Sequence, residues 1–273
     1  MLQINNLKVF PNNNSRLELV KNISLKLKKG KTMCIVGESG SGKSLTALSV
    51  MQLLSSQLSM TGTVVFDGVN LLNLTKEEIR NRRGKDIAMI FQEPMTSLNP
   101  VLTIGYQIQE AIEVHENLSK IELNKRVQKL LTIVGIPIDR IDSYPDELSG
   151  GQRQRVMIAM AISCSPKLLI ADEPTTALDV TVQAQILKLL NDLKLKFQMT
   201  MLFITHDFGV VEDIADDVAI MYQGKIVEQG TVSKVLKNPT HPYTKALLDC
   251  VPDTQGKKEL KPINYLNLKK LMG

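Results

Sequence analysis

Three short stretches of the sequence carry residue types at spacings that suit phosphate chemistry. The first is Gly37-Glu38-Ser39-Gly40-Ser41-Gly42-Lys43-Ser44, which satisfies G-x-x-x-x-G-K-[ST] with one extra glycine. Its glycines let the backbone curl so that N–H groups face phosphate oxygens, and a helix starting there adds a favourable dipole. Lys43 is then expected to bridge the β- and γ-phosphates of a nucleotide, and the Ser44 hydroxyl to bind Mg²⁺. The second stretch is Lys167-Leu168-Leu169-Ile170-Ala171-Asp172-Glu173. Two adjacent acids at the end of a buried strand are expensive unless they serve a cation or a proton. Asp172 suits Mg²⁺ through water, and Glu173 suits polarising an attacking water as general base. The third is Leu148-Ser149-Gly150-Gly151-Gln152. Ser149 with Gln152 three residues later fits a capping box, and two glycines at a helix start leave bare N–H groups, a second phosphate-binding surface. One nucleotide does not need two such surfaces from one chain. The physical resolution is a dimer in which this surface reads the partner's ATP.

These residues need strands and helices to hold them. Residues 1–36 read as strands and turns, with Leu25, Leu27 and Met33-Cys34-Ile35-Val36 in strands and Lys29-Gly30-Lys31 as a turn. The Met33–Val36 run is apolar on both faces, as in a buried parallel strand, and leads into the glycine loop and a helix from Ser44 to about Leu54. Thr63 to Gly68 is a strand and turn, and Ile87 to Phe91 another buried strand. From Glu93 to Leu148 helical patterns dominate, at Ile104–Val114 and Lys120–Val134, which suggests an inserted helical subdomain. A helix over Arg153–Ser163 follows Gln152. Leu168–Ala171 and Met201–Ile204 read as strands around an amphipathic helix, Thr181–Phe197, with Val182, Ile186, Leu189, Leu190, Leu193 and Phe197 on one face. Val218–Met221 and Lys225–Val227 flank a turn at Gly224. Strands alternating with helices predict an α/β domain with a largely parallel sheet.

Composition narrows the classes. The chain has 273 residues, 43% hydrophobic and 22% charged, which excludes disorder and collagen-like repeats. The longest apolar run, Val156 to Ile162, is far short of the ~20 residues of a membrane helix. The N-terminus shows neither the basic start nor the apolar stretch of a secretory signal. Cys34, Cys164 and Cys250 are widely spaced, with no CxxC and no histidine at ligand spacing. They read as reduced, small buried hydrophobes rather than disulfides or a zinc site. The net charge of +5 is spread over several lysine and arginine clusters, and with 4% aromatics and no Trp the chain is poorly equipped to stack on nucleic acid.

The three stretches together resemble the ATP-binding-cassette ATPases, over roughly residues 1–235. The match of Leu148–Gln152 to that family's signature motif carries the resemblance. It implies further roles. Gln92 matches the glutamine that senses Mg²⁺ and water and couples to the membrane subunit. Ala177-Leu178-Asp179 matches the loop bearing a nucleotide-site aspartate, His206 the switch histidine at the γ-phosphate, and Phe10 the aromatic stacking on adenine. The implied cofactors are ATP and Mg²⁺, the metal held by Ser44, Gln92 and Asp172. The implied nucleotide site comprises Phe10, Gly37, Glu38, Ser39, Gly40, Ser41, Gly42, Lys43, Ser44, Gln92, Asp172 and Asp179, with Ser149, Gly150, Gly151 and Gln152, and the catalytic set is Glu173, His206 and Gln92. The implied fold is a P-loop NTPase (RecA-like) core with a mainly parallel sheet, an N-terminal antiparallel β subdomain and a helical subdomain inserted over about 93–152.

Two further stretches narrow the resemblance to the peptide/nickel importers: Phe91 to Pro100, and Asn238-Pro239-Thr240-His241-Pro242-Tyr243-Thr244-Lys245-Ala246-Leu247-Leu248, in a short extension over 236–273. That family implies a second, homologous ATPase as partner, two membrane-spanning permease subunits and, indirectly, an extracellular solute-binding protein, with no nucleic acid. The chain would then lie at the cytoplasmic face of the cell membrane as a peripheral subunit. Many peptide-type members carry several cysteines in a longer C-terminal region, whereas here only Cys250 lies there. On that ground the expected solute is nickel, another metal or a metal chelate, with oligopeptides or dipeptides as the alternative. A soluble, non-transport ATPase of the same family is the other class, but a single cassette has no room for the coiled coils or zinc modules such proteins need.

Overall fold

The computed structural model describes residues 1–92, 97–176 and 178–250. The chain forms two compact units, one of Met1–Leu72 with the stretch from Phe203 onward, the other of Asn73–Leu202.

In the first unit, β1 (Leu2–Pro11), β2 (Val20–Leu27), β4 (Leu58–Phe66) and β5 (Val69–Asn70) make an antiparallel sheet in the order β2-β1-β4-β5. Leu2 and Ile4 are buried, as are Leu7 and Val9. The period-two alternation therefore breaks between residues 4 and 7. Asn6 absorbs the break with φ 51°, and the register with both neighbouring strands shifts at this point. The extra residue is a β-bulge, which returns the apolar side chains to the core face. Beside this sheet lies β3 (Thr32–Val36), buried at all five positions. It pairs parallel with β9 (Asp217–Tyr222), which pairs antiparallel with β10 (Lys225–Thr231). The β9–β10 turn is Gln223-Gly224, with φ 46° and 82°; two positive-φ residues form the primed turn that suits strand twist. Helix α1 (Lys43–Met51) follows β3 across the glycine loop.

The second unit holds α2 (Lys76–Arg82), β6 (Ile87–Ile90), α3 (Ile104–Glu113), α4 (Lys120–Ile133), α5 (Gly150–Ala161), β7 (Leu168–Asp172) and α6 (Val180–Phe197). Strands β6 and β7 pair parallel, Ile87 with Leu168 through Ile90 with Ala171. Both are buried throughout, as strands covered on two faces must be. Helices α2 and α4 start on reciprocal capping boxes, Thr75 with Glu78 and Ser119 with Glu122. Strand β8 (Thr200–Thr205), fully buried, carries the chain from the second unit into the first. There α7 (Gly209–Ile214), α8 (Val232–Lys237) and α9 (Pro242–Asp249) complete the described residues.

Several expectations need correcting. The strand expected through Phe91 ends at Ile90, and Phe91 is 41% exposed. The buried stripe of α6 is Ile186, Leu187, Leu190, Leu193 and Lys194, with Val182, Leu189 and Phe197 half-buried. It is displaced from the expected face toward Leu187 and Lys194, which sit seven residues apart, two turns along one line. Cys34 is buried, but Cys164 and Cys250 are half-buried, and burial pushes the Cys164 thiol pKa up. Among the described residues, no helix is long and apolar enough to cross a membrane, and no group of three or more His, Cys, Asp or Glu is placed to hold a metal ion.

The Asn238–Leu248 stretch is clasped onto β10 by one carboxylate. Glu228 accepts hydrogen bonds from Thr240 N and Oγ1, both at 2.8 Å, and from His241 N at 3.0 Å. His241 Nδ1 then accepts from Tyr243 N and caps α9, where Pro242 fills the first turn. Tyr243 is fully buried, with its ring 4.1 Å from that of Tyr222. Burial pushes the Glu228 carboxyl up, but the nearby Thr244 hydroxyl and the hydrogen bonds from Thr240 and His241 outweigh it and hold the pKa at about 2. A carboxylate with a depressed folded pKa stabilises above its unfolded value, and that contribution fades as pH falls from about 4.5 toward 2. Glu228→Gln is therefore expected to destabilise by about 1 kcal/mol at pH 7, a figure kept low for solvent screening. The gap in melting temperature from wild type should narrow below pH 4.5; a gap independent of pH would show that the charge is not what holds the clasp.

Candidate functional site

The candidate residues divide between the units. Phe10, Gly37–Ser44 and His206 belong to the first; Gln92, Ser149–Gln152, Asp172, Glu173 and Asp179 belong to the second.

The glycine loop is built around a close approach to β9. A Cβ on Gly37 would lie 2.1 Å from the Met221 carbonyl oxygen and 2.9 Å from Ser41 Oγ, so no larger residue fits there. Gly42, at the N-cap of α1, has φ 105°, which L side chains rarely adopt. Within the loop, Ser41 N donates to Glu38 O at 3.2 Å, and Ser41 O accepts from Gly224 N at 2.9 Å. Lys43 is buried, and its ammonium donates to Gly37 O at 2.7 Å and Glu38 O at 2.9 Å. Ser41 Oγ is buried without a hydrogen-bond partner. A buried cation beside an orphaned hydroxyl, at a helix N-terminus, is a setting that an anion completes. The loop therefore fits nucleotide phosphates.

Asp172 closes β7 and is 4% exposed. Within the second unit, its carboxylate and the Gln92 amide oxygen are hard donors, of the kind that fits Mg²⁺ better than a softer metal. Glu173 follows in the left-handed region, φ 46°. A non-glycine residue there carries about 1–3 kcal/mol of strain, which gathers at functional sites. Gln92 Nε2 donates to Glu173 Oε2 at 3.1 Å. The two residues assigned to the attacking water are thus in direct contact. Thr176 Oγ1 donates to the same oxygen, also at 3.1 Å. Sequence reading did not single out Thr176, since nothing in a Thr three residues after a Glu announces a side-chain hydrogen bond.

Ser149 caps α5 in a complete capping box. Its Oγ accepts from Gln152 N at 3.3 Å, and Gln152 Oε1 accepts from Ser149 N at 2.9 Å. Asp179 caps α6 through Val182 N at 2.9 Å. The two helix starts lie together, because a Cβ on Gly151 would come 2.6 Å from Val182 Cγ1 and one on Gly150 would come 3.6 Å from Leu178. Ala177 and residues 93–96 of the Phe91–Pro100 stretch lie outside the described residues. His206 is exposed just past β8. Phe10 is half-buried near the end of β1, opposite Ser59.

The chain has relatives among known proteins. Residues 20–176 match the family described as ABC transporter, and residues 227–269 match the oligopeptide/dipeptide transporter C-terminal region. The chain is 48% identical over 270 residues to the oligopeptide transport ATP-binding protein OppD of Bacillus subtilis (strain 168), covering 96% of this chain and 75% of that protein. It is 50% identical over 273 residues to the glutathione import ATP-binding protein GsiA of Escherichia coli (strain K12), covering 95% of this chain and 43% of that one. Among solved structures it resembles the dimeric, post-hydrolysis ATP-binding cassette MJ0796 bound to ADP and Pi. The TM-score is 0.75 at 28% identity, over 85% of this chain and 99% of that one.

Proposed function

The chain belongs to the ABC transporter family, as one of its ATPases, and from that premise we propose that its ATP hydrolysis powers the import of peptides through separate membrane subunits. The observation that carries the peptide reading is the match of residues 227–269 to the oligopeptide/dipeptide transporter C-terminal region. Relatives named for oligopeptide transport and glutathione import support it. The expectation of a nickel or metal-chelate solute gives way to the peptide alternative. It rested on how few cysteines follow residue 236, and such cysteines would hold a cluster rather than contact the solute.

In this reading the loop amides and Lys43 grip the phosphates of ATP, and Phe10 packs against the adenine. Ser44, Asp172 and Gln92 would hold Mg²⁺, which neutralises charge on the phosphate oxygens. Glu173 takes a proton from the attacking water at one carboxylate oxygen while Gln92 orients that water, and His206 donates to the γ-phosphate. Ser149, Gly150 and Gly151 present the start of α5 to nucleotide held by a second, homologous ATPase. Asp179 sits at the same junction. Closure of this pair on ATP and its opening after hydrolysis move two permease subunits, fed by an extracellular binding protein, with this chain on the cytoplasmic face of the membrane. Uptake of a labelled tripeptide and of nickel, in cells lacking this gene and in complemented cells, separates the readings. Peptide uptake should fall to background and return on complementation. Loss of nickel uptake alone would restore the metal reading.

A further inference from the structure

We infer that Thr176 is a positioning residue for the general base: its hydroxyl holds the Glu173 carboxylate in the orientation from which it takes a proton from water. This rests on the reading of Glu173 as that base. A glutamate carboxylate hangs on three rotatable bonds, and a base serves only when held within hydrogen-bond reach of the proton it abstracts. The backbone sets the first part of that aim by placing Glu173 at φ 46°. The chain then turns, and Thr176 N donates to Glu173 O at 3.2 Å. The turn returns the Thr176 side chain to Glu173, where Oγ1 donates to Oε2 at 3.1 Å. Gln92 Nε2 reaches the same oxygen at 3.1 Å from the end of β6. Two donors from different parts of the chain converge on one oxygen, which fixes the carboxylate more tightly than either alone.

The two donors are not equivalent. Gln92 also serves the metal and the water in the proposed mechanism, so its amide has a second task. Thr176 belongs to the same four-residue turn as Glu173, and its β-branched side chain has few rotamers. It keeps its hold when Gln92 turns to nucleotide. Backbone turn, branched side chain and hydroxyl thus combine into one device that aims the base.

The test uses the transporter complex purified with this chain, measuring kcat, KM for ATP and ATP affinity. Thr176→Val should lower kcat about tenfold, the worth of one hydrogen bond to a charged group, with KM and ATP affinity unchanged. Thr176→Ser keeps the hydroxyl and should restore most of the rate. Thr176→Ala, with no branched methyl to pack, should show the same fall as Thr176→Val. In a Glu173→Gln background, where no base remains to aim, Thr176→Val should change nothing further. The inference is overturned if Thr176→Val turns over like wild type, if the loss appears in KM, if Thr176→Ser is as slow as Thr176→Val, or if the two variants multiply. A Glu173→Gln protein that still hydrolyses ATP well would instead sink the assignment of the base, a different outcome from a silent Thr176.

Discussion

Glu173→Gln is expected to bind ATP as wild type does and to lose turnover by about 10²–10⁴, roughly 3–5 kcal/mol of transition-state stabilisation. The substitution preserves side-chain length and leaves an oxygen able to accept from Thr176 and Gln92, so the local turn should survive. What it removes is the second carboxylate oxygen and, with the charge, the capacity to take a proton from water. The phosphate grip lies elsewhere, in the loop where Lys43 is anchored by the carbonyls of Gly37 and Glu38. Binding and hydrolysis should therefore separate cleanly in this variant. Near-normal steady-state hydrolysis would remove Glu173 from the role, and weakened ATP binding would place it in the phosphate grip.

The second large effect is expected from Ser149→Arg. Ser149 has a local task, since it caps α5 with Gln152, and losing the cap should destabilise by about 1 kcal/mol. Ser149→Ala loses the same cap and provides the control for that term. The arginine adds bulk at the exposed start of a helix whose second residue, Gly151, already lies against Val182. If this surface reads nucleotide held by another chain, the arginine blocks the pair. Hydrolysis is lost, while ATP binding by this chain's own loop is untouched. The measurement is nucleotide affinity and turnover for the variant, alone and mixed with its partner ATPase. A lone variant that cannot bind ATP would mean that Ser149 faces its own nucleotide, and the head-to-tail pair would be wrong.

The parts of the site legible in the sequence are those whose chemistry is local. A glycine loop between a strand and a helix, and a serine three residues ahead of a glutamine, state their geometry in their spacing, and the capping box at Ser149 forms as expected. The same signal at Thr75 and Glu78 starts α2, and its capping box is as complete. Other features needed three dimensions. The bulge at Asn6 hides because the apolar pattern of β1 is regular on either side of it. The hold of Thr176 on Glu173 depends on a positive φ that no residue other than glycine advertises. The Asn238–Leu248 stretch was recognisable as a motif, but its anchor is Glu228, an acid on a strand otherwise unremarkable in pattern. The expectation of a metal solute is weak for a related reason: cysteine content far from the nucleotide site says little about what membrane subunits carry.

That hydrolysis in this chain drives the movement of peptides is tested most directly in the reconstituted transporter, by following ATP turnover as peptide or nickel is supplied through the binding protein. Turnover should rise with peptide, remain flat with nickel, and vanish with peptide present when this chain carries Glu173→Gln. Turnover that ignores peptide, or that persists in full with Glu173→Gln, would contradict it.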